Sequence, residues 1–298
     1  MELSIGFIGL GEAGTAIARG LVDAGAGTVR AYDIAVESPA RRRELESRAE
    51  SAGVVLCPDL EALAGESRIL MCTVVGSVAV DVAESVCPFL TPDHVYLDLN
   101  SVSPEKKRRI AAVIGAAGGR FIEAAVMTNV PKFGHRVPML LCGDAAPELI
   151  GKLAPLGMVL EDFGAEIGRA SAAKMFRSLV VKGMEALLLE ATMAAARYDV
   201  AKEVLDYVTM GYAGLDWNAL ADNLLTRTAL HGTRRAHELL EVAETLEDMG
   251  IEPLMASAGA ERIRRAADAG LEARFRERPP ENYLQVVKAI EAAGTANR

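Results

Sequence analysis

The 298-residue sequence has no basic block able to track a nucleic-acid backbone: 32 Lys and Arg face 41 Asp and Glu, for a formal net charge of −9. That balance excludes nucleic acid as a partner, and an anionic small molecule would need a local positive cluster. No apolar run approaches the ~20 residues that cross a bilayer. The N-terminus enters a strand without a basic leader region, so a soluble cytoplasmic protein with no membrane partner is expected. Cysteine is scarce, and Cys57, Cys72, Cys87 and Cys142 show no C-x-x-C spacing. Cys72 and Cys142 lie in apolar, strand-like runs where a thiol acts as a small hydrophobe, so neither disulfides nor a metal site is expected. Internal repeats and low-complexity linkers are also lacking.

What the chain does have is "FIGLGEAGTAIARGL", Phe7 to Leu21. Its G-x-G-x-x-G follows the apolar run "LSIGFI" and precedes apolar residues at helical spacing, Ile17, Leu21 and Val22, which reads as strand, tight turn and helix. In a dinucleotide fold, Gly9 permits the turn, Gly11 lets a pyrophosphate approach the backbone, and Gly14 lets helix pack on strand. Three glycines alone are weak, but "TVRAY" reads as the next strand and ends at Asp33. A carboxylate there, about twenty residues beyond the turn, accepts hydrogen bonds from a ribose diol and repels a 2′-phosphate. NAD is therefore expected, with NADP as the alternative because of the arginines at 41–43, which otherwise read as a solvated helix face in "ARRRELESRAE".

Up to about residue 160, "VRAYD", "VVLC", "RILMCTVV", "HVYLDLN", "RFIEAAV" and "PMLLCG" alternate with helical stretches. This is the pattern of an α/β, Rossmann-type, doubly wound sheet, mostly parallel, with helices on both faces. From about 165 the chain is rich in Ala, Leu, Met and Glu and reads as one long helix, then as further helices broken by Gly250, Pro253 and the Pro279–Pro280 pair. The expected organisation is a dinucleotide-binding domain over 1–163 and an all-helical substrate and dimerisation domain over 164–298, with the substrate in a crevice between them.

Ligands of such a sheet collect at the carboxyl ends of its strands. "CTVVGS" brings Thr73 and Val74 there, and "LDLNSVSPEKKRR" brings Asn100 and Ser101, while Ser103 before Pro104 and Glu105 reads as a helix cap. Ser171, Lys174 and Ser178 fall at i, i+3 and i+7 of the long helix, a polar stripe among apolar neighbours. A lone helix Lys is usually a solvated charge. In "ASAAKMF", small neighbours let another surface approach, and partial burial favours the neutral amine that takes a proton from a hydroxyl.

Over essentially its whole length the chain resembles the β-hydroxyacid dehydrogenases, which include 3-hydroxyisobutyrate, tartronate semialdehyde and 6-phosphogluconate dehydrogenases. "FIGLGEAG" is similar to F-I-G-L-G-x-M-G, with Ala13 in place of Met, and "NSVSP" to S-T-x-x-P. "EAAVMTNV" stands where the family has D-A-P-V-S-G-G-V, and "GRASAAKMFRS" where it has G-x-G-x-x-x-K-x-x-x-N. The resemblance implies an NAD(P)-dependent dehydrogenase or reductase acting on a hydroxy acid or related alcohol, with Lys174 as general acid and base. Cofactor contacts are expected at Gly9, Leu10, Gly11, Glu12, Ala13, Gly14, Asp33, Thr73, Val74 and Asn100, and substrate contacts at Ser101, Met127, Thr128, Asn129 and Ser178.

The departures concern the substrate. Met127, Thr128 and Asn129 replace the Ser-Gly-Gly that usually holds a carboxylate, and Ser178 replaces the helix Asn. The phosphogluconate enzymes carry K-x-x-H-N-x-x-E on this helix; here the matching positions are Arg177, Ser178 and Val181, which argues against assisted decarboxylation. The C-terminal run "HGTRRAHELLEVAETLEDMGIEP" resembles a poorly characterised branch with a phosphogluconate dehydrogenase-like helical domain. His231, Arg234, Arg235 and His237, or Lys132, His135 and Arg136, could receive an anionic substrate, although for each group a solvated surface charge is the stronger reading. A non-catalytic dinucleotide sensor or scaffold and an imine or amine reductase stay open as alternatives. The apolar helical surface leads to the expectation of a symmetric homodimer.

Overall fold

The computed structural model describes residues 3–212 and 214–296. The chain forms two compact units, Met1–Lys174 and Met175–Arg298.

In the first unit, strands β1 (Ile5–Ile8), β2 (Val29–Tyr32), β3 (Val55–Leu56), β4 (Ile69–Cys72), β5 (Val95–Asp98), β6 (Arg120–Val126), β7 (Met139–Cys142) and β8 (Leu160–Asp162) make one sheet in the order β3-β2-β1-β4-β5-β6-β7-β8. All neighbours are parallel except β6 and β7. Strands β1, β4 and β5 are buried at every position, which explains their unbroken apolar runs: both faces are covered. Ile5, Phe7, Met71 and Leu97 pack under α1 (Glu12–Asp23), α2 (Pro39–Ala52) and, further along the chain, a helix over Ala146–Leu153. Ile8, Leu70, Cys72 and Tyr96 face the opposite layer, formed by α3 (Leu60–Glu66), α4 (Ala79–Val86) and α5 (Pro104–Ala116). At roughly 1.5–3 kcal/mol for each large apolar side chain buried, these two layers hold the sheet rigid. Ser103 caps α5 by accepting from Lys106 N–H at 3.3 Å. The short helix α6 (Val130–Phe133) leaves β6, and α7 is the Ala146–Leu153 helix. Strand β8, with the polar sequence "LED", has no apolar run or alternation to mark it as a strand; it forms by pairing with β7.

The long helix expected from the Ala- and Leu-rich run is α8 (Arg169–Ala196), whose residues up to Lys174 belong to the first unit. The second unit is helical, with α9 (Ala201–Gly211), α10 (Trp217–Asp248), α11 (Leu254–Ala267), α12 (Leu271–Phe275) and α13 (Tyr283–Ala296). Its core gathers Leu188, Leu189, Leu205, Leu225, Phe275, Val286 and Val287. Within α10 the backbone at His231 leaves the helical region (φ −142°), so two helical stretches, "DWNALADNLLTRTAL" and "TRRAHELLEVAETLEDM", meet there at a kink. Next to the kink, Gly232 allows α11 to approach: a Cβ there would stand 2.8 Å from that of Ala267. Inside the unit, fully buried Glu185 accepts from Arg235 Nε at 2.8 Å and from Thr228 Oγ1 at 2.5 Å. Two helices are thereby fixed in register by a desolvated ion pair.

Candidate functional site

The strand register explains why the expected residues meet. Ile8 pairs with Tyr32 on one side and Cys72 on the other, Cys72 pairs with Asp98, and Asp98 with Glu123. The residues that follow, Gly9, Asp33, Thr73 and Leu99, therefore leave the sheet side by side at its carboxyl edge. Strand order reverses between β1 and β4, which is where a doubly wound sheet opens to a ligand.

Each glycine of the turn has a distinct reason to be there. Gly9 has φ +91°, and a Cβ there would lie 2.8 Å from the Thr73 carbonyl. At Gly14 a Cβ would lie 2.5 Å from Thr73 Oγ1 and 2.6 Å from the Gly9 carbonyl. At Gly11 it would meet nothing within 4 Å among the described residues. The first and third positions are closed by protein, and the second faces open space at the start of α1, where no side chain caps the helix. First-turn N–H groups beside an open glycine are the donor set for a pyrophosphate, so the residues present fit a dinucleotide. Glu12 is exposed, and Ala13 packs partly buried against the sheet core. Thr73 Oγ1 donates to the Gly9 carbonyl at 2.7 Å and ties the turn to β4, and Val74 packs beside it.

Asp33 is held by two backbone donors: Leu10 N–H to Oδ2 at 2.8 Å and Ala35 N–H to Oδ1 at 2.9 Å. Each carboxylate oxygen keeps a second lone pair, so Asp33 is oriented and still able to accept from a diol. Arg41, Arg42 and Arg43 are exposed on α2. The arginine that reaches the turn is Arg48, whose Nη1 donates to the Leu10 carbonyl at 2.9 Å. Sequence reasoning missed it because it sits two turns further along the same helix; its side chain faces back toward the turn only once α2 has packed beside α1.

Beyond β5, Asn100 is almost fully buried, donating through Nδ2 to Asp98 Oδ1 at 2.6 Å and to Cys72 Sγ at 3.3 Å. Its Oδ1 has no hydrogen-bond partner among the described residues. Beneath it, fully buried Asp98 is neutralised by Lys107 at 3.0 Å. Burial, then the Asp98 charge, push the Cys72 thiol up to about 11, so it stays protonated. Ser101 is exposed, and Lys174 Nζ donates to its Oγ at 2.5 Å. Met127 is partly buried, Thr128 is exposed, and Asn129 accepts from Lys132 N–H to cap α6. Ser178 lies four residues beyond Lys174 on α8, in the second unit.

Within the two expected anion-binding groups, Arg235, His135 and Lys132 make contacts inside the protein. Arg235 is buried and its charge is matched by Glu185, because a guanidinium held at a helix crossing needs a carboxylate. His135 is buried with its ring against Gly20, where α1 has no side chain, and burial together with the Arg136 cation holds it below its ordinary pKa. Lys132 stands over the Phe133 ring, 5.4 Å from its centre. Ser171, expected on a polar stripe, is buried; its N–H donates to Glu123 and its Oγ to the Gly168 carbonyl.

Residues 4–167 match the family model of the NAD binding domain of 6-phosphogluconate dehydrogenase, over more than half of the chain. The chain belongs to this family, the β-hydroxyacid dehydrogenases. Residues 195–266 match a domain of unknown function, DUF1932, which places the protein on a poorly characterised branch of the β-hydroxyacid dehydrogenases. A conserved hypothetical protein from Sinorhizobium meliloti is 38% identical, with 98% of this chain and 97% of that one covered and a TM-score of 0.82. A conserved protein of unknown function, described as structurally similar to 3-hydroxyacid dehydrogenases, is 30% identical, with coverage of 91% and 99% and a TM-score of 0.75. The 3-hydroxyisobutyrate dehydrogenase of Mycobacterium tuberculosis with L-serine, at 20% identity, coverage of 98% and 99% and a TM-score of 0.73, shares the fold. Among the described residues no helix is long and apolar enough to cross a membrane.

Proposed function

We propose that this β-hydroxyacid dehydrogenase relative is an NAD-dependent oxidoreductase that moves hydride between the cofactor and a hydroxy acid or related alcohol, with Lys174 transferring the proton. The observation that carries the reading is the Lys174 Nζ to Ser101 Oγ contact of 2.5 Å, which brings an amine to the loop after β5, on the carboxyl edge that also bears the glycine turn. When bound, the nicotinamide supplies the hydride acceptor or donor. Lys174 as the amine takes the proton of the substrate hydroxyl, and as the ammonium returns it to the carbonyl oxygen in the reductive direction. Ser101 holds the Lys174 side chain and offers its hydroxyl to the same substrate oxygen. The loop at Met127, Thr128 and Asn129 lacks the glycines that would open its backbone to a carboxylate, which supports a substrate different from the short 3-hydroxy acids. Asp33 favours NAD, and Arg48 is the residue through which NADP would be accepted instead. We further propose that the helical unit supports a homodimer, since Tyr198, Tyr207, Met210 and Tyr212 expose large apolar surface around α9.

The test is a titration with NADH and with NADPH, followed by nicotinamide fluorescence, in wild type, Asp33→Asn and Arg48→Ala, and then a screen of hydroxy acids with the preferred cofactor. Tighter NADH binding that Asp33→Asn weakens supports the reading. Absence of binding by either cofactor would end it, and turnover of cyclic imines with no turnover of alcohols would replace it with a reductase.

A further inference from the structure

The start of α8 is capped by a residue from the sheet. Glu123 on β6 is fully buried, and its two carboxylate oxygens accept separate backbone N–H groups: Gly168 to Oε2 at 2.6 Å and Ser171 to Oε1 at 2.6 Å. These are two of the N–H groups that every α-helix leaves without an intrahelical partner. An N-terminal cap is normally a local side chain, whereas this one comes from 45 and 48 residues earlier. Short bonds from two amides to one carboxylate are also among the stronger hydrogen bonds a backbone makes. The same turn is wedged from a second direction. Gly168 has φ +100°, and a Cβ there would stand 3.2 Å from Pro104 Cβ, in the first turn of α5 and three residues after Ser101.

Lys174 lies three residues after Ser171, one helical turn on and on the same face. Its amine reaches Ser101, on the loop that leaves β5, the strand next to β6. From this geometry we propose that Glu123 is a positioning residue for the reaction, setting the height and rotation of the first turn of α8 so that the Lys174 amine meets the Ser101 hydroxyl. The inference rests on the proton-transfer reading of Lys174. The requirement is for two acceptor oxygens. A glutamine at 123 fills the same space but has one oxygen and an NH2 group, which sets a donor against one of the two backbone donors. An aspartate keeps both oxygens on a stem one methylene shorter.

The experiment needs no substrate to begin. The purified full-length protein is reductively methylated with ¹³C-formaldehyde, and the Lys174 signal is identified by its loss in Lys174→Arg. In wild type this signal stands apart from those of exposed lysines, and Ser101→Ala moves it toward them. In Glu123→Gln the signal and its pH midpoint move in the same direction as in Ser101→Ala, Glu123→Asp restores part of the difference, and all variants show cooperative melting and NADH affinity within about twofold of wild type. On any alcohol found by the cofactor screen, kcat of Glu123→Gln falls by roughly tenfold to a hundredfold with little change in KM, as a misplaced catalytic group requires. A Glu123→Gln protein with an unmoved Lys174 signal and wild-type kcat, alongside a Ser101→Ala protein whose signal has moved, would overturn the role of Glu123 and leave that of Lys174 standing. A Lys174 signal indifferent to Ser101→Ala, or full activity in Lys174→Ala, would overturn both.

Discussion

Lys174 donates to the hydroxyl of Ser101 at 2.5 Å, although 73 residues separate them. One stands on the first turns of a helix and the other on the loop after a central strand, and the contact exists because the helix start is fastened to the neighbouring strand.

Removing the amine should remove proton transfer and little else. Lys174→Ala is expected to lower kcat by about 10²–10⁴, the usual contribution of a general acid or base, with NADH affinity retained. Steady-state kinetics beside fluorescence titration separates the two effects.

The glycine turn gives a steric prediction. In Gly14→Ala the new methyl has to displace both Thr73 Oγ1 and the Gly9 carbonyl, at 2.5 and 2.6 Å. Overpacking of this kind costs roughly 1–3 kcal/mol, and because it pushes on the turn itself, cofactor affinity should fall with it. Adding Thr73→Ala should recover only part of the loss, since the backbone contact stays. Recovery to wild-type affinity in the double variant would show that the Gly9 carbonyl yields.

In the helical unit, Glu185→Ala leaves the Arg235 guanidinium buried without its carboxylate. Breaking one side of a buried pair costs about 3–5 kcal/mol. Urea denaturation should show a larger loss for Glu185→Ala than for the double replacement of Glu185 and Arg235 by Met, which removes the stranded charge.

Histidine 135 links stability to pH. Burial and the adjacent Arg136 cation hold His135 below its ordinary pKa of 6.5 in the folded chain. Its contribution is therefore present in full above about 6.5 and is lost as pH falls from there through the lower folded value, because the unfolded chain binds the proton first. The melting temperature should fall between pH 7.5 and 5, and the fall should be smaller in His135→Gln. An equal fall in both proteins would assign the loss to the carboxylates.

For assembly, light scattering at micromolar concentration should give twice the chain mass, and Tyr207→Glu with Met210→Glu on the exposed side of α9 should shift it toward the monomer. A monomeric wild type would remove the dimer.

Much of the fold was legible because it follows from local rules. Period-free apolar runs mark doubly covered strands, a glycine triplet between strand and helix marks the turn, and an Ala- and Leu-rich run marks α8. The same rules were silent on β8, since "LED" pairs only because β7 is beside it. They also set Ser171, Arg235 and His135 among candidate polar contacts, where packing paired the Ser171 N–H and Arg235 with carboxylates and set the His135 ring against Gly20.

By itself, then, the sequence determined which elements form and which residues stand at their ends, because propensity, periodicity and turn chemistry act over a few residues. Only the tertiary structure decided which ends share an edge, that Arg48 and not Arg41 to Arg43 reaches the turn, and that Glu123 caps the helix bearing Lys174. Those contacts join residues tens of positions apart, and their geometry is set by strand register and by how buried polar groups find partners, neither of which a local pattern encodes.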